Sequence, residues 1–372
     1  MKNKNLQPKI CNLFRIRRIA IEQHGFSLVE LLISMAIASI VGLAGYVIFS
    51  SSNWSYKVQE DVSEAQQNVR VAMERFAGDV RTAGFGLPDP PFSFTFTNLS
   101  ATSPTLPNPL TSPVTVTNST TGPDTITILG IGYEAGELSG TNASGQIYIC
   151  YEKTTNDEKL IGADSKVVPN RQYISVGGAI FITLDTNSTD TGTCNGAGTA
   201  KLPLSLPATL DRAYQAGTVV YIIQAVQYTI ATDLPGCSNS NPCLVSRDYT
   251  MLRGGSTPGA REVLAENIED IQFAHGIDES PRDGKIDYSS GYDAADFSND
   301  PTDDSSIIAV RANIVAKTRN QDPKGATGFK SQCFEDRPVD AGTTNCTGAV
   351  SDGYRRRTLT KIMKLRNPKQ GA

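Results

Sequence analysis

Hydropathy changes character along the first quarter of the chain. From Phe26 to Phe49 ("FSLVELLISMAIASIVGLAGYVIF") twenty-four consecutive residues are almost wholly apolar, with Glu30 near their start. A helix of that length rises by about 36 Å, enough to cross a hydrocarbon layer of about 30 Å with some tilt. Past Phe49 the apolar positions thin to one stripe. Trp54, Val58, Val62, Ala65, Val69, Met73, Phe76, Val80 and Ala83 recur at steps of three or four, and Lys57, Glu60, Asp61, Glu64, Gln67 and Glu74 fall largely outside it. No proline occurs between Phe26 and Leu87. The pattern therefore predicts one helix from Phe26 to about Gly84, roughly 88 Å long, with Gly84, Gly86 and Pro88 as its stop. Gly42 and Gly45 leave a kink in the apolar half open. The stripe is expected to pack on the domain that follows, because its steps are too irregular for a coiled coil.

Periodicity then shortens toward two. Strands are predicted at 124–133 ("DTITILGIGY"), 146–151, 172–184, 218–231, 244–252, 306–318 and 357–366, several alternating apolar and polar residues as half-buried antiparallel strands do. Between helix and strands, the Ser/Thr/Pro/Asn-rich tract 88–123 reads as an irregular surface loop. The fold class predicted is α+β, a long two-part helix packed on a β-rich, mostly antiparallel domain of residues 124–372.

Charge changes the picture at the amino end. Met1 to Gly25 holds Lys2, Lys4, Lys9, Arg15, Arg17 and Arg18 against Glu22, a net +5, which is the pattern of a cytoplasmic flank. A secretory signal cut after Ala36-Ile37-Ala38 is the ordinary alternative, but the apolar run is too long for a signal core and Glu30 is costly within it. The other cut lies after Gly25. Removing 1–25 takes the chain from −4 to −9, an acidic remainder in which nothing suggests a general nucleic-acid surface.

Basic segment, Gly25-Phe26-Ser27-Leu28-Val29-Glu30 and unbroken apolar run together resemble the type III leader of type IV prepilins and pseudopilins. The resemblance implies cleavage after Gly25 on the cytoplasmic side by a prepilin peptidase that also N-methylates Phe26. It makes 1–25 a leader, 26–49 a transmembrane and assembly helix, and 50–87 an amphipathic helix. Glu30 is then the assembly residue, pairing with the new α-amine of a neighbouring subunit. Pairing within its own chain is the plainer alternative, since 26 and 30 are i,i+4 neighbours at a helix N-terminus. Further along, "LRGGSTPGAREVLAENIEDIQFAHGID" (252–278), "DGKIDY" (283–288), "IIAVRANIVAKT" (307–318) and "YRRRTLTKIMKLRN" (354–367) look like successive blocks of PilW-type minor pilins. That resemblance implies an assembly subunit in a complex that primes the pilus, near its tip, anchored in the bacterial inner membrane with its globular domain exported. The implied partners are the peptidase, other minor and major pilins through the helix, and an inner-membrane assembly platform. A J-type minor pseudopilin of type II secretion shares the leader. A surface adhesin using 88–123 or the disulfide loops is a second reading, and a membrane-anchored enzyme a third.

Cysteine use fits export. Cys11 leaves with the leader, and Cys150, Cys194, Cys237, Cys243, Cys333 and Cys346 are expected in disulfides. Spacing favours Cys237 with Cys243 and Cys333 with Cys346, leaving Cys150 with Cys194. No catalytic residue is expected: beyond the leader only His275 is present, read as a strand-end surface residue, and neither G-x-S-x-G nor a P-loop occurs. No cofactor is expected save calcium. Asp278, Asp283 and Asp287 in "DESPRDGKID" have the oxygen ligands and glycine turn of a calcium loop, without EF-hand spacing or its closing glutamate; a solvated acidic turn is the alternative.

Overall fold

The structure, a computed structural model, describes residues 27–87, 92–96, 109–141, 147–152, 167, 171–177, 180–184, 194, 199–203, 214–250, 252–253, 257–258, 260–278, 284–286, 297–299, 307–322, 329–338, 341, 344–349 and 351–366. It divides into two compact units, Met1–Lys57 and Val58–Ala372. Helix α1 (Leu28–Thr82) supplies the first and opens the second. No proline interrupts it, and it passes Gly42 and Gly45 unbroken.

Within Val58–Ala372 the strands follow in order: β1 (Val114–Thr117), β2 (Thr125–Thr141), β3 (Ile147–Glu152), β4 (Tyr173–Val176), β5 (Ile180–Thr183), β6 (Thr199–Pro203), β7 (Val219–Ala231) and β8 (Cys243–Asp248). Next come β9 (Leu252–Arg253), β10 (Thr257–Pro258), β11 (Arg261–Glu266), β12 (Ile268–Ile277), β13 (Phe297–Ser298), β14 (Ile307–Lys317) and β15 (Arg356–Lys364). A nine-stranded sheet runs β11-β8-β7-β2-β3-β6, with β1 on β2 and the β4–β5 hairpin on β7. A four-stranded sheet runs β13-β12-β14-β15, and β9 and β10 form a small ribbon. Every recorded pairing is antiparallel.

The amphipathic stripe does what its period predicts. Ala65, Val69, Ala72, Met73, Phe76, Ala77 and Val80 are buried, in one cluster with Ile126 and Tyr228 of the large sheet and Ile271, Phe273, Ala312 and Ile314 of the small one. Phe76 sits where the sheets meet: its ring is edge-on to Tyr228 at 5.3 Å and tilted against Phe273 at 5.3 Å. Burying such a side chain contributes about 2–3 kcal/mol. The Tyr228 hydroxyl donates to Asp79, one turn on, so the polar tip of that ring is also met. Burial, with the Asp79 charge next to it, pushes the Tyr228 hydroxyl far above the usual range.

At the helix end the backbone is handed to the sheet. Gly84 N donates to Leu129 O at 2.9 Å, and Ile131 N to Phe85 O at 3.2 Å. Gly86 has φ +72°, and a Cβ there would lie 2.0 Å from Ile131 Cδ1. Glycine is needed both for the left-handed turn and for the close approach.

Three expectations change. The stretch 172–184 is two strands, since the chain turns back at Gly177 (φ +61°) and Val176 pairs with Ile180. The stretch 244–252 breaks after Asp248, whose Oδ1 accepts from Thr250 N (2.9 Å) and Oγ1 (2.6 Å) and curls the backbone off the ladder. The tract 88–123 is partly core. Phe92, Phe94 and Phe96 are 7%, 0% and 0% exposed, packed with Leu110, Leu129 and Tyr249, and β1 extends the sheet. Tyr173 Oη accepts from Thr95 N (3.0 Å) and donates to Thr95 O (2.9 Å), standing in for a neighbouring strand.

The six cysteines form Cys150–Cys194, Cys237–Cys243 and Cys333–Cys346, with Cα separations of 5.8, 5.6 and 4.9 Å. Cys237–Cys243 closes the turn from β7 to β8, and Cys333–Cys346 closes a loop fastened to β12 and β14 by the ion pairs Arg337–Asp270 (2.6 Å) and Arg311–Glu335 (2.7 Å). Outside the loop, Arg356 of β15 pairs with Glu269 of β12 (2.6 Å) and with Asp352 (2.5 Å). Maleimide labelling of denatured, unreduced, membrane-extracted protein will find no reactive thiol in the chain beyond residue 25; two or more reactive thiols there would contradict these pairings.

Asp124 joins the two sheets. Its Oδ1 accepts from Ser119 N (2.8 Å), its Oδ2 from Phe273 N on β12 (2.9 Å), and its own N–H donates to Ile271 O (2.9 Å). Burial raises its carboxyl from 3.8 to about 7, against the lowering effect of those two N–H donors and with Asp336 and Asp270 adding to the rise. A carboxyl raised on folding stabilises the fold fully below its unfolded value, and that contribution is lost as pH climbs through the folded value. The domain within Val58–Ala372 will therefore melt at progressively lower temperature as pH rises from about 4 to about 7. Asp124→Asn will flatten that slope, and an equal slope in the variant would assign it to other groups.

Candidate functional site

The described residues begin at Ser27, at the first turn of α1, so Gly25 and Phe26 lie outside them. Ser27 is the N-cap. Leu31 N donates to Ser27 O at 3.1 Å, the first helical bond. Val29 N donates to Ser27 Oγ (3.3 Å), and Ser27 N donates to Glu30 Oε2 (3.0 Å). This is the reciprocal capping box of a Ser-x-x-Glu sequence, and it satisfies two of the N–H groups that a helix start leaves orphaned. An anion here also faces the positive end of the helix dipole. The Ser-x-x-Glu pattern of Ser27-Leu28-Val29-Glu30 is the sequence signal for this cap, and it adds Ser27 to the residue that charge alone singles out, Glu30.

The turns that follow present apolar surface on all sides. Leu28 is 76% exposed and Phe49 65%. The helix contains an 18-residue window of mean hydropathy 2.3, long and apolar enough by composition to cross a membrane. A helix apolar all round belongs in lipid or among other apolar helices. Its polar side chains fit either place, because Ser34 Oγ donates to Leu31 O (2.9 Å) and Ser39 Oγ to Met35 O (2.8 Å). The arrangement can hold a helix in an apolar medium and offer one carboxylate at its N-terminal end.

The calcium candidates are met only in part. Asp278 is buried, and its Oδ2 accepts from Gly284 N at 2.8 Å. Asp283 and Asp287 lie outside the described residues. Among the described residues no three His, Cys, Asp or Glu side chains gather as a metal group. His275 is not the surface residue expected. It is 1% exposed, and its Nδ1 lies 3.2 Å from Ser298 O, because β13 pairs with β12 at 275 and covers what would have been a strand end.

Residues 227–367 match the family model described as Type IV Pilus-assembly protein W, and residues 22–46 match the prokaryotic N-terminal methylation motif. Comparison with curated proteins and with solved structures gave no match. The first match takes in β8 to β15 with the four-stranded sheet and the last five residues of β7, and the second takes in the capping box and most of the apolar run.

Proposed function

We propose that the chain is a PilW-like type IV prepilin, as its two family matches support, and that it works as a minor pilin, an assembly subunit without chemistry of its own that primes the filament and sits near its tip. The observation that carries this reading is the pairing of two features at one point: a helix apolar on all sides, and a carboxylate engaged at its first turn. In this reading the prepilin peptidase cuts after Gly25 from the cytoplasmic side of the inner membrane and methylates Phe26. The globular domain stands on the exported side, and the helix passes from lipid into the bundle of other pilin helices at the assembly platform.

Glu30 has capacity for both the partners considered for it. A carboxylate has about four acceptor positions, and the Ser27 N–H takes one. Inside its own chain Glu30 completes the cap. Toward a neighbouring subunit it offers the anion that an incoming Phe26 amine needs in low dielectric, where an unpaired charge costs several kcal/mol.

Two substitutions separate these tasks. Glu30→Gln keeps an acceptor for Ser27 N–H, as glutamine does in capping boxes, but removes the charge; Glu30→Ala removes both. In a deletion strain complemented at native expression, both variants will be processed to N-methyl-Phe26 by mass spectrometry of the membrane fraction, and both will fail to restore surface pili. Restored piliation with Glu30→Gln would reduce Glu30 to a cap, and a mature N-terminus other than Phe26 would sink the processing account.

A calcium ion on Asp278, Asp283 and Asp287 is a separate proposal, supported by the oxygen-rich sequence. If these residues bind the ion, millimolar calcium will raise the melting temperature of the protein by mass action on the folded state. Superimposable melting curves with calcium and with chelator would return the segment to a hydrogen-bonded acidic turn.

A further inference from the structure

The last strand of the fold combines an open edge with unmatched charge. From Tyr354 to Ala372 the sequence holds seven Lys or Arg and no Asp or Glu, in a chain whose net charge is −4. Arg355 pairs with Asp322, and Arg356 with Glu269 and Asp352. Lys369 lies outside the described residues. Arg357, Lys361, Lys364 and Arg366 have no carboxylate partner among the described residues. These four lie on or just past β15, which ends the four-stranded sheet: β14 pairs with it on one side, and no described strand pairs with it on the other. We propose that this edge binds an extended acidic segment of a partner protein, which joins the sheet as a further strand.

Register shows which backbone groups are open. Leu365 N donates to Ile308 O (2.9 Å) and Thr318 N to Arg355 O (2.8 Å), so the odd-numbered residues of β15 make the hydrogen-bonded pairs with β14. The N–H and C=O groups of Thr358, Thr360, Ile362 and Lys364 therefore point away from the sheet. Arg366 N, next in that series, is taken by Arg81 O in the last turn of α1 (3.0 Å), which closes the edge at that end. From 358 to 364 the open edge runs for roughly 23 Å at about 3.3 Å per residue. A peptide backbone meets both the donors and the acceptors along it, as strand addition does elsewhere.

Cations flank the edge on both faces. Arg357 and Lys361 alternate with Leu359 and Met363 on the face turned to the core shared with α1, and Lys364 lies on the opposite face. Lys and Arg on an edge commonly guard it, because two copies of the same edge repel. Here the guard is selective: it turns away a second copy and favours a strand that carries Asp or Glu, since opposite charges across neighbouring strands attract. A nucleic acid is a poorer fit. Its phosphates accept hydrogen bonds and donate none, which leaves the outward carbonyls unmet, and the acidic remainder of the chain repels it. The inference rests on this edge alone and stands whether or not the chain primes a filament.

Peptide titration on the full chain in a zwitterionic detergent tests it, read by fluorescence anisotropy and by amide hydrogen exchange. The probes are a rhodamine-labelled nine-residue peptide alternating Glu with Val and Thr, the same peptide with Lys for Glu, and the Glu peptide N-methylated at alternate backbone positions. A single-stranded oligonucleotide serves as the competing polyanion. The Glu peptide will bind and slow exchange over 358–364, and the other three probes will each bind at least about tenfold more weakly. Lys361→Glu combined with Lys364→Glu will reverse the preference between Glu and Lys peptides at unchanged melting temperature. Thr358→Pro removes an outward N–H and leaves the β14 ladder whole; it will weaken the Glu peptide by about fivefold or more. Should the charge reversal lower the melting temperature, Thr358→Pro and the N-methylated peptide decide. No binding by the Glu peptide, equal binding by the N-methylated peptide or the oligonucleotide, or exchange slowed at 358–364 by dimerisation of the chain itself would overturn the assignment.

Discussion

Phe76 packs on Tyr228 of one sheet and Phe273 of the other, so a single side chain of α1 brings together the two layers on which everything else is built. The two sheets share no strand. Besides the helix, Asp124 links them, using its N–H and a carboxylate oxygen on the stretch of β12 that β13 does not cover. A carboxylate there is poorly solvated, and its affinity for protons rises to about 7. That cost is the consequence of meeting a buried backbone N–H with a side chain rather than with another strand. Helix and carboxylate thus act at one seam, one by apolar contact and one by polar satisfaction.

The helix was the most legible part of the sequence, since its period is long and its change from apolar all round to one-sided is abrupt. Strands with strong β-branched runs, such as 306–318, were also legible to within a residue or two of β14 (Ile307–Lys317). The misses have physical causes. "FSFTF" in 92–96 is short and lies in a Ser/Thr/Pro-rich tract, so composition outweighed three phenylalanines that alternate as a buried ribbon does. β12 contains Glu269, Asp270, Gln272 and His275, polar residues that argue against a central strand until their partners are seen. Arg356 takes Glu269, Arg337 takes Asp270, and the carbonyls of Gly122 and Ser298 face Gln272 and His275. Those partners are up to 150 residues away in sequence and leave no local signal. The candidate site and the open strand edge divide the same way: Glu30 and the apolar run were legible because they violate each other's rule, whereas the edge of β15 is defined by its single partner β14, and only the fold shows which side of it is left unpaired.

The loop closed by Cys333–Cys346 sits on the small sheet through two arginines, Arg311 and Arg337, each paired with a carboxylate of low exposure. Paired charges of this kind are weak evidence for stability, because desolvation offsets most of their attraction, but removing one partner is costly. Their effect is selective. A loop held by apolar contacts slides at little expense; one held by forked guanidinium–carboxylate pairs fits in one register. The disulfide limits how far the loop strays in the unfolded chain, and the ion pairs fix where it lands.

The same reasoning bears on the other end of the molecule. A carboxylate at the start of an apolar helix is expensive when isolated, yet Glu30 is not isolated, because the Ser27 N–H already donates to it. The cap lowers the cost of keeping Glu30 in an apolar medium before any partner arrives. It also orients the side chain back toward the N-terminal end of the helix. A residue serving only as a cap gains no more from a full charge than its attraction to the helix dipole, since serine at the N-cap with glutamine at the third position satisfies the same donors. Retaining the charge is costly in lipid and useful only where a cation will meet it. The capping geometry and the proposed docking role therefore do not compete: the first lowers the cost of holding the charge that the second would use.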